Sequence, residues 1–136
     1  MKVERTLELG AAPDVVWKAL TDPERTKQYF FGCEAVSDWK VGSELNYRCD
    51  VQGQTMTVVT GEIRALEPER YLETTCRNAM PGGPSDETVA TYTLEPIASG
   101  TRLTVTQGEF PDGDGADQHG ASWDQVLAGL KALVEA

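Results

Sequence analysis

Few side chains in this chain are suited to chemistry. It holds one histidine, His119, and three cysteines, Cys33, Cys49 and Cys76, among 136 residues. An imidazole titrates near neutral pH, which makes His119 the candidate general base or polar anchor. A histidine at the start of a helix also commonly does no more than hydrogen-bond to a neighbouring loop. No Ser-His-Asp or Cys-His arrangement is visible, so no catalytic residue is assigned. The cysteines are odd in number and widely spaced. Without a Cys-x-x-Cys pair and with one histidine they cannot assemble the usual structural zinc site. They read as free thiols, which when buried behave as small hydrophobes. Asp112, Asp114 and Asp117 suggest a calcium loop. Counted from Asp112, however, position 5 is Ala116, position 6 is Asp117 and position 12 is Trp123, so the ligand pattern fails. The segment reads as a solvated acidic loop before a helix, and neither a metal nor a cofactor is expected.

These residues hang on a short series of elements. Residues 3–9 alternate as a strand. Pro13 and Asp14 suit the first turn of a helix with Val16, Trp17 and Leu20 on its apolar face. Thr21-Asp22-Pro23 ends that helix, and Thr21 or Asp22 can cap a second short one running to about Phe30. From Gly32 to Gly108 the period is two. Ser43 to Val51 alternates with Leu45, Tyr47, Cys49 and Val51 on one face, and Gln52-Gly53-Gln54 reads as a hairpin turn. Further strands are expected over 55–66, 71–78, 87–95 and 101–107, separated by Pro- and Gly-rich turns, among them Pro81-Gly82-Gly83-Pro84, which is also a candidate rim for a cavity mouth. His119, Trp123, Leu127 and Leu130 then recur at helical spacing and form a single stripe. Short connections demand an antiparallel sheet, and the closing helix is the one long element able to cover its concave face.

The bulk properties narrow the partners. One domain, 1–136, of this length buries a substantial core. The net charge of −10 repels phosphate backbones and anionic membranes, so neither nucleic acid nor a membrane is expected as a partner. No apolar run is long enough for a membrane-spanning helix, no signal-peptide pattern opens the chain, and a cytoplasmic location is expected.

Several motifs carry a resemblance to a known family. They are Ala12-Pro-Asp-Val-Val-Trp-Lys-Ala-Leu-Thr-Asp-Pro-Glu24, Val41-Gly-Ser-Glu-Leu-Asn-Tyr-Arg48, and Gly100-Thr-Arg-Leu-Thr-Val-Thr106 leading into Gly108-Glu-Phe110-Pro and the His119-to-Leu130 stripe. On these residues the chain resembles the activator of Hsp90 ATPase homologue 1-like branch of the START/Bet v 1-like (SRPBCC) superfamily, over essentially its whole length. The resemblance implies an α+β helix-grip fold: a curved antiparallel sheet of about six to seven strands around a long C-terminal helix, with two short helices after the first strand. It also implies a cavity between sheet and helix. Gln107 stands where relatives often have His, and Cys76 where they often have Trp, so a relative's ligand does not transfer.

In that fold Leu45, Tyr47, Cys49, Cys76, Tyr92 and Val105 point toward His119, Trp123 and Leu127. The expected ligand-binding set is therefore Tyr47, Cys49, Cys76, Tyr92, Val105, His119, Trp123 and Leu127, although the same residues would serve as plain core. Three classes of function follow. The first is a binding protein for a small lipophilic or amphipathic molecule. The second, implied by the family, is a chaperone-related, stress-response partner role. The third is a polyketide cyclase- or dehydratase-like enzyme with His119, Tyr47 and Tyr92 moving protons. The chain is expected as a monomer, or as a homodimer formed through exposed sheet edges.

Overall fold

In the computed structural model, residues 2–79, 87–110 and 113–136 are described, with backbone alone at 114–115. The turn expected at Pro81–Pro84 and the aspartate at 112 lie outside them. The first strand, β1 (Val3–Leu9), leads into helices α1 (Pro13–Thr21) and α2 (Pro23–Tyr29). Strands β2 (Glu34–Ser37), β3 (Glu44–Val51), β4 (Gln54–Glu67), β5 (Tyr71–Asn78), β6 (Thr88–Ile97) and β7 (Gly100–Gly108) follow, and helix α3 (Gly113–Val134) closes the domain. The strands form one antiparallel sheet ordered β1-β7-β6-β5-β4-β3-β2. Only the β7–β1 neighbours are distant in sequence, and their pairing brings the first strand beside the last.

Local chemistry accounts for the helical corner. Pro13 opens α1 without a side-chain cap at Ala12. Asp22 both ends α1 and caps α2, its carboxylate accepting from the Glu24 amide at 3.0 Å. The four-residue β2 escapes the sequence reading because so short a run carries little periodicity. Pairing with β3 makes it a strand.

Two register shifts curve the sheet, one at Tyr47/Arg48 in the β3–β4 pair and one at Ile63/Ala65 in the β4–β5 pair. An extra residue on one strand bends it and increases the twist. Between the shifts lies Gly61, where a Cβ would overlap the Thr75 carbonyl oxygen of the neighbouring strand. The bend therefore requires a residue without a side chain.

Three expectations need correction. α3 starts at Gly113, so the segment read as an acidic loop supplies its first turn and His119 lies in its second. Its buried face runs through Ala116, Gly120, Trp123, Val126, Leu127 and Leu130, while His119 is exposed. Gly120, three residues before Trp123, takes the inward place, with an Arg5 guanidinium nitrogen near where a Cβ would sit. Thirdly, Cys33 and Cys49 are not free thiols but a disulfide, leaving Cys76 as the free cysteine. The β2–β3 register pairs Glu34 with Arg48, so one step on it sets Cys33 opposite Cys49, with Cα atoms 4.2 Å apart. An odd count in sequence cannot reveal that register.

The sheet edges are partly capped from within. The Ala35 amide of β2 donates to Thr26 Oγ1 at 2.9 Å. On β1, the Glu4 and Glu8 carbonyls accept from Arg5 and Lys131. Such capping discourages strand addition by a second chain. Among the described residues no helix is long and apolar enough to cross a membrane. Gly61→Ala is expected to destabilise the domain by at least ~1–3 kcal/mol through overpacking against backbone, read by urea denaturation; Gly53→Ala, with open space around it but φ at 82°, should lose only the roughly 1–2 kcal/mol of left-handed backbone strain.

Candidate functional site

Helices and sheet converge on one small void. Its wall comprises Leu20, Thr26, Tyr29 and Phe30 from the α1–α2 corner, Tyr47, Leu72 and Tyr92 from the sheet, and Trp123, Val126, Leu127 and Leu130 from α3. Its volume is about 10 Å³, room for roughly one water molecule. The space expected between sheet and helix is thus filled by side chains at this place.

Aromatic rings do most of the filling. Phe30 stacks on Tyr47 with centroids 4.8 Å apart and meets Trp123 edge-on at 6.1 Å. Tyr92 packs edge-on against the other side of the indole at 5.8 Å. Such offset and edge-to-face pairs each add about 0.5–1.5 kcal/mol beyond their buried area. Phe30 differs from the other ten wall residues in one respect: they are buried and it is partly exposed.

Beside the rings runs a chain of oriented hydrogen bonds. The Trp123 indole Nε1 donates to Gln107 Oε1 at 2.8 Å, Gln107 Nε2 donates to Thr88 Oγ1 at 3.0 Å, and Thr88 Oγ1 donates to the Cys76 carbonyl at 3.5 Å. An indole can only donate, which fixes the orientation of the Gln107 amide and so the direction of the whole chain. Among the described residues every buried side-chain nitrogen and oxygen has a partner.

The titrating groups here hold their protons tightly. Burial raises the Tyr47 phenol, with the nearby Cys76 adding to the shift. Burial likewise raises Tyr92, reinforced by Tyr47 and Cys76, and raises Tyr29. The Tyr29 hydroxyl donates to the Ala19 carbonyl at 2.7 Å. The Cys76 thiol is pushed up by burial despite its contact with Thr74 Oγ1 at 3.6 Å. At neutral pH these groups are donors, and none is a base.

Of the expected ligand-binding set, four residues meet on the wall: Tyr47, Tyr92, Trp123 and Leu127. Cys76 lies close enough to both phenols to influence them. The others do not reach the void. Cys49 is committed to its disulfide, Val105 is packed in the core, and His119 is exposed with its ring against Phe110 at a centroid distance of 4.5 Å. Sequence reasoning missed Phe30, whose signal was the run Tyr29-Phe30-Phe31 at the end of a helix. It marked Gln107 as a departure from relatives without seeing that the amide would join β6, β7 and α3.

Comparison with known proteins fits this architecture. Residues 10–135 match the family model described as activator of Hsp90 ATPase homolog 1-like protein. The chain belongs to this family. Its fold is the helix grip of the SRPBCC superfamily. Protein MLL2253 from Mesorhizobium loti is 26% identical, with a TM-score of 0.84 over 99% of this chain and 97% of that one. ChR145 from Cytophaga hutchinsonii is 27% identical, with a TM-score of 0.82 over 99% and 94% of the two chains. The Aha1 dimer from Colwellia psychrerythraea shares the fold at 18% identity, with a TM-score of 0.79 and coverage of 99% and 96%. No curated protein matches the chain in sequence.

Two outcomes follow for this member of the family. Gln107→Leu strands the indole hydrogen and removes the donor to Thr88 Oγ1, so a loss of about 1–3 kcal/mol is expected in chemical denaturation. The second concerns alkaline pH. Tyr71 is also raised, to about 12, by partial burial and by its hydrogen bond to Glu73 at 2.7 Å. All four tyrosines thus keep their protons in the folded state where unfolded phenols, with pKa near 10, lose them. The folded chain then binds more protons than the unfolded one, so this contribution is intact below pH 10 and stability falls as pH rises above it. Tyrosinate absorbance should rise together with unfolding above pH 10; a separate, gradual rise near pH 10 in the folded protein would contradict the burial of these phenols.

Proposed function

We propose that this domain binds a small apolar or amphipathic molecule between the concave face of its sheet and α3, with Phe30 as the side chain that moves to admit it. The observation carrying this reading is the void itself. It lies where the α1–α2 corner, the sheet and α3 converge, it is walled by aromatic and aliphatic groups, and of its wall residues only Phe30 is not buried. Drug-sized ligands occupy roughly 300–1,000 Å³, so binding at this void requires displacement of side chains. An apolar cavity on the order of 150 Å³ suffices to bind benzene, and truncating Phe30 opens space in that direction.

In this reading Tyr47, Tyr92, Trp123 and Leu127 form the inner contacts and Cys76 backs the two phenols. Tyr47 and Tyr92 can donate hydrogen bonds to a polar end of the ligand. Held neutral by burial, they are poorly suited to abstract protons, and His119 is too far out to assist, which weighs against a cyclase- or dehydratase-like enzyme. The protein acts in the cytoplasm, and its charge of −10 directs it away from nucleic acid and anionic membranes. A protein-partner role is the second reading. It is favoured by the family's description and by the exposed apolar side chains Phe31, Val36 and Val41.

The test is titration of wild-type and Phe30→Ala protein with benzene and indole, followed by the ring resonances of Tyr92 and Trp123. Phe30→Ala is expected to bind more tightly than wild type by tenfold or more (~1.4 kcal/mol), and to lose less stability than the ~3–5 kcal/mol of a fully buried Phe→Ala change. Native mass spectrometry should show a bound mass of a few hundred daltons that disappears on denaturation. If neither protein shifts these resonances and no mass excess is found, the binding reading fails and stimulation of an Hsp90 ATPase becomes the measurement for the second reading.

A further inference from the structure

The residues that hold Phe30 in place end in the disulfide. Phe30 closes α2, its amide donating to the Thr26 carbonyl at 2.8 Å, and the chain then reverses through Phe31 and Gly32 at φ 53° and 75°. A non-glycine residue in the left-handed region is uncommon and persists where its surroundings hold it. Phe31 is 56% exposed, its ring touching only the edge of the Phe30 ring among the aromatic contacts of the described residues. What restrains the reversal is its exit. The Cys33 amide donates to the Phe30 carbonyl at 2.8 Å, and the Cys33 side chain is bonded to Cys49 on β3, two residues along from Tyr47, on which Phe30 stacks. Both halves of the disulfide are buried. One covalent bond therefore ties the Phe30 corner to the strand carrying the opposite wall of the void.

We infer that the Cys33–Cys49 disulfide is a redox latch on the void, closed when oxidised and released by a dithiol reductant. This rests on the reading of the void as a ligand site with Phe30 as its gate. Both sulfurs are buried, so the release step proceeds when the corner opens transiently: a thiolate of the dithiol attacks one sulfur of the bond and expels the other as a thiolate. The second thiol of the reductant then resolves the mixed disulfide. Two electrons and two protons pass to the cysteines, which become thiols, and the reductant becomes a disulfide. The β2–β3 ladder survives, because its backbone pairing over Glu34–Ser37 does not depend on the sulfurs. What is lost is the tether at the exit of the corner, so Phe30 and Phe31 can swing out together. Cys76 takes no part, since it lies on β5 and remains unpaired with either sulfur.

The experiment compares the full chain in oxidised form and after dithiothreitol, by hydrogen exchange at the amides of Phe30, Cys33 and Ala35 and by titration with indole. The double variant Cys33→Ser/Cys49→Ser serves as the permanently released form, with circular dichroism to show that it folds. Denatured oxidised protein should present one reactive thiol and reduced protein three. Reduction is expected to speed exchange at these amides about tenfold or more, within the ~100-fold ceiling for a cross-link spanning a loop of this length, and to raise indole affinity to a similar extent. Should the double variant fail to fold, dithiothreitol-treated wild type supplies the same comparison. Equal exchange in both forms, or three thiols in protein treated with oxidised glutathione, overturns the latch. Indole bound equally well in both forms overturns it while leaving the ligand site intact. Faster exchange on reduction with indole bound in neither form upholds the latch and removes the ligand reading instead.

Discussion

Trp123 donates its indole hydrogen from the middle of α3 to Gln107 near the end of β7, and the position of the helix follows from that bond. A curved sheet of seven strands leaves an apolar concave face, and a single long helix must cover it. Hydrophobic burial alone would tolerate that helix sliding or rolling. An indole that must find an acceptor does not, and Gln107 is the acceptor within reach. Because Gln107 also donates to Thr88, the helix is pinned to β7 and β6 together. Salt bridges at the rim, such as Arg5 with Asp124 at 2.7 Å, lie in solvent and add little to this.

The clamp also explains why the site is closed. With Trp123 fixed, its ring presents one side to Tyr92 and another to Phe30, and Phe30 is left to fill what remains against Tyr47. The inner half of the site, built on β-strands and the middle of α3, is stiff. The outer half is one side chain on a seven-residue helix followed by two left-handed residues. In the proposed reading, opening for a ligand deforms this corner and leaves the sheet alone. Gly129 serves the same arrangement from α3, where a side chain would press against the Cβ of Tyr29.

The family relation clarifies the scaffold more than the role. Its members share a helix grip, and the share of each chain covered by the structures compared here is nearly complete. Inside the grip this chain places an amide at 107, a thiol at 76 and a disulfide at the α2–β2 corner.

Most of the element order was legible in the residues alone. Alternation over Ser43–Val51, the proline-led starts of α1 and α2, and the apolar repeat through Trp123, Leu127 and Leu130 reflect local periodicities that tertiary structure had only to use. Four of the eight expected ligand-binding residues, Tyr47, Tyr92, Trp123 and Leu127, share the wall of the void for the same reason, since strand alternation and helical spacing fix which way a side chain faces. The remainder depended on contacts between residues far apart in the chain. Whether His119 or Gly120 faced inward turned on how α3 is rolled against the sheet. That Cys33 meets Cys49 depended on the register of a four-residue strand too short to read. The volume left between sheet and helix was decided by rings from four separate elements meeting at one point. Periodicity specifies direction along each element, but the distance between elements, and so the size of any cavity, is set only when they pack.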